Sequence, residues 1–556
     1  MTTAVIRSIS QVEAFLKEKQ NDLLATSVII LSHGSSAKRT SVKEFYGQNF
    51  SQAWQKFLLF YQQLPKDEDL RIDLITEEIE VTYEQLLSKF REIKRNNYLP
   101  FGFRLEGLKR RLFLKEELTA NALLVPDKQH RVGKNKPNLQ LNTPNIRNYL
   151  KVKYAMAESM DKLLQSSQII IFKTAAILIE KNTIIPLEDY GYGNHVRGTT
   201  YQNFPHLLDL VIQEGSYFLQ NQLTPSGRFI YGYYPCYDKV IKNYNSIRHF
   251  SSLYALLEAG EASQDHQVIA DSLKGLTWGF KHLSTIKKDD YFIKEELINT
   301  VEYKLGAQAM AILAAAKYTQ ITNDTQFLPI IRQLVQTIEQ FFLTSDDETI
   351  HVLDESFQIK EKFRIVYYDG EALFALLRAY ALLKDEQILN LCRRLMNHFV
   401  ANNYERYHDH WLSYAVNEFL IYEERDDYYL FGLKNALSKI DFIKNRDTAY
   451  PTMLELLVAA AKMMTKLKTY SRRNSLLTDE EFLAAQEKIA TVMDHRAYHE
   501  VMTGTMFPEF ARYFKNPTNI TYGFFARHDR FRMRIDDAEH FLSGLINYRQ
   551  FKERGE

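Results

Sequence analysis

Two clusters of residues have types and spacing that could do chemistry. Asn245, Arg248 and His249 are separated by three and four residues, so on a helix they share one face. Such a set suits uronate β-elimination: Asn or Arg neutralises the carboxylate while His or Tyr removes the C5 proton. The same three side chains could equally tie a helix to its neighbours as a hydrogen-bonded network. The second cluster is Arg534, Asp536, Asp537 and His540, in which Asp536 and His540 pair one turn apart. A third metal ligand is missing from it, so no metal is expected. Glu302, Glu371 and Glu418 are candidate general acids or bases. Glu371 opens a run rich in Ala and Leu, where burial would raise its pKa; the same place also suits a carboxylate that favours a helix N-terminus.

These residues belong to six polar, aromatic segments that lead into alternate helices. They are Gly227–Pro235 with Asn243–His249, Thr300–Tyr303, Tyr367–Glu371, Tyr407–Trp411, Arg446–Tyr450, and Arg527–Asp537 with His540. Aromatic faces pack against the C–H faces of a pyranose, and carboxylates and arginines fork hydrogen bonds to neighbouring hydroxyls. Two carboxylates across such a mouth could serve as acid and base in glycoside hydrolysis. Asp369, Glu371, Asp536, Asp537 and His249 are therefore the expected catalytic set. Tyr231, Tyr233, Asn245, Arg248, Glu302, Tyr303, Tyr368, His410, Trp411, Arg534 and His540 are expected to hold the ligand. Helix N-capping explains Asp369, Asp409, Thr448 and Asp536 one at a time, but not six such segments together.

The elements that must position these residues are about twelve amphipathic helices between Asn203 and Arg549. Every second one is apolar around most of its circumference, as in Gly306–Ala316 and Leu456–Ala461, and so is buried on several sides. The others, such as His266–Leu283 and Gln326–Phe342, are one-sided. Inner and outer helices in alternation predict an (α/α)6 toroid. The absence of a motif at fixed period weighs against an open solenoid.

This alternation resembles the (α/α)6 barrels of glycoside hydrolases, polysaccharide lyases and sugar epimerases. The resemblance is architectural, spans about 350 residues, and implies a carbohydrate ligand without assigning any residue a role. Hydrolysis stands slightly ahead of elimination or epimerisation, and a non-catalytic glycan- or protein-binding module is the alternative.

Residues 1–140 alternate strand and helix signals and predict a small α+β domain. Thr26–Ser32 and Leu70–Thr76 read as strands; Phe50–Gln63, Val81–Ile93 and Leu112–Leu124 read as helices. Ser32–Ser36 follows a strand but lacks a phosphate-loop pattern, so a turn is expected. Glu116, Glu117 and Asn121 are minor candidates on a packing helix. The basic stretch 126–142 reads as a surface loop, and Tyr190–Arg197 as a Gly-rich loop. Residues 141–200 supply a helix and a hairpin that connect to the toroid of residues 201–556.

Composition narrows the function. The 556 residues carry a net charge of +1, which gives no electrostatic case for nucleic acid or an anionic membrane. Cys236 and Cys392 form no zinc or disulfide pattern, and no apolar run is long enough to span a bilayer. The first residues lack the apolar core of a secretory signal, so a soluble cytoplasmic protein is expected. No cofactor is implied. A protein partner could dock through the N-terminal domain.

Overall fold

A computed structural model describes residues 2–65, 68–93, 99–107, 110–131, 137–155, 162, 164–165, 168–181, 183–190, 195–198, 203–287 and 289–555. Two units emerge. One comprises Met1–Asn203, Tyr233–Val240 and Thr505–Met533; the other comprises Phe204–Gly232, Ile241–Gly504 and Arg534–Glu556.

The second unit is mainly helical. Its twelve principal helices, in chain order, are α1 (Phe204–Gln220), α2 (Ser246–Ser263), α3 (His266–His282), α4 (Leu305–Thr322), α5 (Leu328–Phe341) and α6 (Tyr368–Leu383), then α7 (Glu386–Ala401), α8 (His410–Phe419), α9 (Asp426–Leu437), α10 (Thr452–Thr469), α11 (Asp479–Gly504) and α12 (Ile535–Glu553). The even-numbered helices pack in sequence, α2 on α4, α6, α8, α10 and α12, and α12 closes back onto α2. The odd-numbered helices lie outside this ring, each against one or two inner neighbours. The unit is therefore an (α/α)6 toroid.

Sequence dictates which helix goes where. In α4 every residue from Leu305 to Thr319 is buried, because its glycine and alanines let neighbours approach from all sides. In α5 only Ile331, Leu334, Val335, Thr337 and Ile338 are buried, a single stripe at helical spacing. Tight hairpins join inner to outer helices. Gln264, Asn323 and Lys384 each adopt left-handed backbone at the end of an inner helix. The aspartate that follows turns the chain: Asp265 and Asp385 accept from the first amides of α3 and α7, and Asp324 accepts from Gln326 N ahead of α5.

The segment leading into α4 is extended. Val301–Lys304 is a strand in a five-stranded antiparallel sheet with Ser284–Lys287, Asp290–Glu296, Val352–Leu353 and Ile359–Glu361. Val301 and Tyr303 are β-favouring, and α4 begins only at Leu305.

The first unit is built on an antiparallel sheet of eight strands: β1 (Ser27–His33), β2 (Ser41–Gly47), β3 (Leu70–Val81), β4 (Gly102–Glu106), β5 (Arg111–Phe113), β6 (Gln168–Glu180), β7 (Thr183–Asp189) and β8 (His195–Arg197). Its main path runs β8-β7-β6-β3-β1-β2, with β4 joining β5 to β6. The sheet does not close at residue 140, since β6 pairs with β3 along nearly the whole length of β3. Nor is the C-terminal half one continuous toroid, since Thr505–Met533 groups with the sheet unit. Leu70, Ile72 and Leu74 of β3 enter a core with Trp54 and Phe57. The alternate residues Arg71 and Asp73 are also fully buried, and Arg71 pairs with Asp73 at 2.9 Å and with Glu116 at 2.8 Å. Glu117 pairs with Lys153 at 2.7 Å, and Asn121 donates to the Glu117 carbonyl at 2.8 Å. The expected turn after β1 is present, with Gly34 at φ 135°. Stretch 126–142 is not all loop: Leu124–Arg131 pairs with Pro137–Leu141, while 132–136 lie outside the described residues. The helix expected at the start of residues 141–200 runs over Thr143–Tyr154 and is capped by the left-handed Ala155. Residues 191–194 of the expected Gly-rich loop lie outside the described residues. Among the described residues no helix is long and apolar enough to cross a membrane.

Candidate functional site

The six inner helices begin at one end of the toroid, and their first turns line a cavity of about 480 Å³. Residues Asn245, Arg248 and Ser251 of the first inner helix face it, as do Tyr368 and Glu371 of α6 and Trp411 of α8. Tyr450 and Thr452 precede and open α10, and Arg534, Asp536, Asp537, Glu539 and His540 come from the start of α12.

Ion pairs fasten α12 to α2 across this mouth. Asp536 Oδ2 lies 2.9 Å from Arg248 Nε and 2.9 Å from Arg534 Nη2. Arg248 also donates to the Tyr231 hydroxyl, and the Tyr231 carbonyl accepts from Ile535 N at 3.1 Å. Asp537 accepts from Arg534 N at 2.9 Å and so caps α12. Asn245 does the same for α2, accepting from Arg248 N at 3.0 Å.

Glu371 stands apart from this network. Its side chain is buried, and its Oε2 has no hydrogen-bond partner among the described residues. Burial, helped by the neighbouring Asp369 carboxylate, pushes its pKa up to about 8. The expected rise is thus found, and its cause is the apolar wall of inner helices. Asp369 is not on the cavity wall: it accepts from Thr349 Oγ1 and, at 3.2 Å, from His351 Nε2. His351 Nδ1 accepts from Arg364 N at 2.9 Å, which leaves the ring proton on Nε2.

Behind Trp411 and His540 lies a third group. His540 Nδ1 is 3.0 Å from Glu455 Oε2, and His410 Nε2 is 3.7 Å from the same oxygen. Neither ring nitrogen of His410 has a hydrogen-bond partner among the described residues, although the side chain is 1% exposed. Burial lowers the His410 pKa well below that of a free imidazole and raises that of Glu455 well above a free carboxyl. Sequence reasoning named His410 and His540 but not Glu455, which sits inside the apolar run Met453–Ala461. A charged residue in the middle of an inner helix that is otherwise apolar is the signal that could have found it.

Several expected site residues fall elsewhere. His249 does not share the cavity face with Arg248. Its Nδ1 contacts Tyr244 OH at 2.8 Å and its Nε2 contacts the Gly275 carbonyl at 3.0 Å, against the outer helix α3. Burial lowers its pKa to about 4, so it is a neutral wedge. Four residues separate it from Asn245, but Asn245 is the cap and not part of the helical face. Glu302 is held by Arg364 at 2.8 and 3.0 Å, and these hydrogen bonds hold its pKa down to about 2. Tyr303 stacks on Phe357 with centroids 4.4 Å apart. Tyr233 groups with the other unit. Glu418 lies 3.5 Å from Arg378.

No protein-family model matches the chain, and no curated protein sequence matches it. In overall structure it is similar to cellobiose 2-epimerase from Bacillus thermoamylovorans B4167, with 12% identity and a TM-score of 0.46 over 63% of this chain and 99% of that one. It is also similar to a D-mannose isomerase, at 10% identity and a TM-score of 0.47 over 63% and 100% of the two chains. The GH76A α-1,6-mannanase from Salegentibacter sp. HEL1_6 matches at 12% identity and a TM-score of 0.43 over 63% and 99%. The assignment of the helical unit as a toroid rests on its own closed ring of inner helices.

Proposed function

We propose that this protein is a carbohydrate-active enzyme that hydrolyses a glycosidic bond in the toroid cavity. One observation carries the reading: Glu371, a buried carboxyl whose Oε2 has no hydrogen-bond partner among the described residues, lines a polar cavity and stays protonated at neutral pH. A carboxylic acid kept neutral by its surroundings is suited to protonate a leaving oxygen. The second member of the pair is Asp536, on the same cavity, whose Oδ1 is unpartnered while Oδ2 is held by two arginines. Tyr368 and Trp411 supply aromatic surface for a sugar ring. Because Arg248 and Arg534 already engage Asp536, neutral hydroxyls suit the site better than a uronate carboxylate. The two buried free cysteines are compatible with a reducing cytoplasm, and the sheet unit offers a place for a protein partner.

The experiment is mass spectrometry of an oligosaccharide pool after incubation with the purified chain. Fragments carrying an added water support hydrolysis, and Glu371→Gln should abolish them. Unchanged masses with deuterium uptake from heavy water would replace hydrolysis by proton transfer at a C–H bond. For that reaction His540, hydrogen-bonded to Glu455, is the base the geometry offers. Neither change, with ligand bound, would leave a glycan-binding module.

A further inference from the structure

We propose that His410, Glu455 and His540 bind one divalent transition-metal ion, zinc by ligand type, beside the toroid cavity. One ligand atom from each residue lies within 4.8 Å of the other two. Tetrahedral bonds of about 2.0–2.2 Å place ligand atoms about 3.3–3.6 Å apart. The Glu455–His540 and Glu455–His410 separations, 3.0 and 3.7 Å, lie on either side of that range, and the third pair, His410–His540, lies within 4.8 Å, so a bound ion would draw the two rings together.

A proton-sharing network accounts for only part of the arrangement. The His540–Glu455 hydrogen bond leaves His410 fully buried with both ring nitrogens unpartnered. An orphaned buried imidazole is costly, and a metal at Nε2 would partner one of its two nitrogens. The surroundings complete the pattern expected of a metal centre. A metal-binding histidine commonly has its other nitrogen against a carboxylate. Here His410 Nδ1 lies 3.5 Å from Asp409 Oδ1, and His540 Nε2 lies 3.3 Å from Glu539 Oε2. Tyr414 donates to the remaining Glu455 oxygen at 3.2 Å. Two imidazoles and a carboxylate are borderline ligands that suit zinc better than magnesium or calcium. His540 reaches the cavity wall, so a fourth position would open towards whatever ligand the cavity takes. The expectation that His540 lacks further ligands rested on sequence neighbours; its partners come from two other inner helices, α8 and α10.

The inference stands beside hydrolysis at Glu371 and Asp536 and replaces His540 as a free base for proton transfer; its test reads metal and not turnover. The full chain, stripped with a chelator, is titrated with cobalt(II) and with zinc against a chromophoric chelator. The expected result is one equivalent per chain, visible cobalt bands of low coordination number, and a zinc-dependent rise in melting temperature. His540→Gln should weaken zinc binding by more than about a hundredfold and remove the melting shift, with the circular dichroism unchanged. His540 is only partly buried, which favours a folded variant. His495 and His499, one turn apart on α11 with ring centroids separated by 5.9 Å, form the obvious adventitious site. His495→Gln should leave binding intact. No saturable binding by the stripped wild type would overturn the proposal. So would binding lost in His495→Gln but kept in His540→Gln. If His540→Gln proves unfolded, Glu455→Gln replaces it with the same expected loss, and retained binding in that variant would overturn the assignment.

Discussion

Gly306 of α4 lies directly against Glu371 of α6: a Cβ built on Gly306 would collide with Glu371 Oε2 and come within 2.6 Å of the Tyr368 ring. The glycine is therefore part of the candidate site even though it carries no side chain. Gly306→Ala forces the carboxyl or the ring to move. It should cost about 1–3 kcal/mol in stability from overpacking. Turnover should fall by about a hundredfold, because a displacement of about 1 Å misplaces the acid. Thermal denaturation and steady-state kinetics check both effects. Normal turnover in a destabilised variant would separate Glu371 from the chemistry.

The raised pKa of Glu371 predicts the alkaline limb of the activity profile. A general acid must be protonated, so kcat/KM should fall as pH rises through about 8. Asp369→Asn removes the neighbouring negative charge and should move this limb to lower pH, but only in part, because burial is the larger cause. Glu371→Gln should lower kcat by about 10²–10⁴-fold with little change in KM. Stability follows the same group. Its folded pKa exceeds the ordinary value of 4.5, so its contribution is complete below pH 4.5 and is lost as pH rises through about 8. The Gln variant should lack that decline in urea midpoints taken across the window.

His249 supplies the opposite sign. Its folded pKa of about 4 lies below the ordinary 6.5, so its contribution is present above pH 6.5 and is lost as pH falls towards 4. His249→Gln should flatten that acid decline. It should also lower stability by about 1–3 kcal/mol, because the Tyr244 and Gly275 groups lose a buried partner. Turnover should stay within a few fold. A loss of activity without a loss of stability would return His249 to the catalytic set.

Much of the toroid was legible because inner and outer helices differ in composition. A ring helix must be apolar on nearly every side, as α4 is, whereas an outer helix needs one stripe, as in α5. Local repeats were also legible but went unread. Leu223–Phe229 and Leu343–Thr349 each form the same bridged turn after an outer helix, with Gly227 and Asp347 at positive φ. The cavity was legible as a set of leading segments, since one hand of connection brings all inner-helix starts together. Which side chain looks inward was not. Arg248 and His249 are adjacent in sequence, yet one pairs with Asp536 at the mouth and the other is wedged against α3, where Gly279 leaves room for the ring and the Gly275 carbonyl contacts it. Glu455 was hidden because hydrophobic periodicity treats a charge in an apolar run as noise. The sheet boundary was hidden because β6 pairs with a strand nearly one hundred residues earlier.

The Arg248–Asp536 pair sets the last prediction, because it separates binding from chemistry. Arg248→Lys keeps the charge but loses the fork that reaches both Asp536 and Tyr231. A lost charge-assisted hydrogen bond of about 1.5–3 kcal/mol corresponds to a KM increase of about 10–100-fold, with kcat little changed. Asp536→Asn retains the shape while removing the negative charge, and Arg534 keeps Asp537 as its partner at 3.3 Å. If Asp536 activates the attacking water, kcat should fall by about 10²–10⁴-fold with KM preserved. The two changes act on one pair, so the double variant should lose less than the product of the single losses. Full turnover in Asp536→Asn, together with loss in Glu371→Gln, would leave the acid in place and remove Asp536 from the role of base.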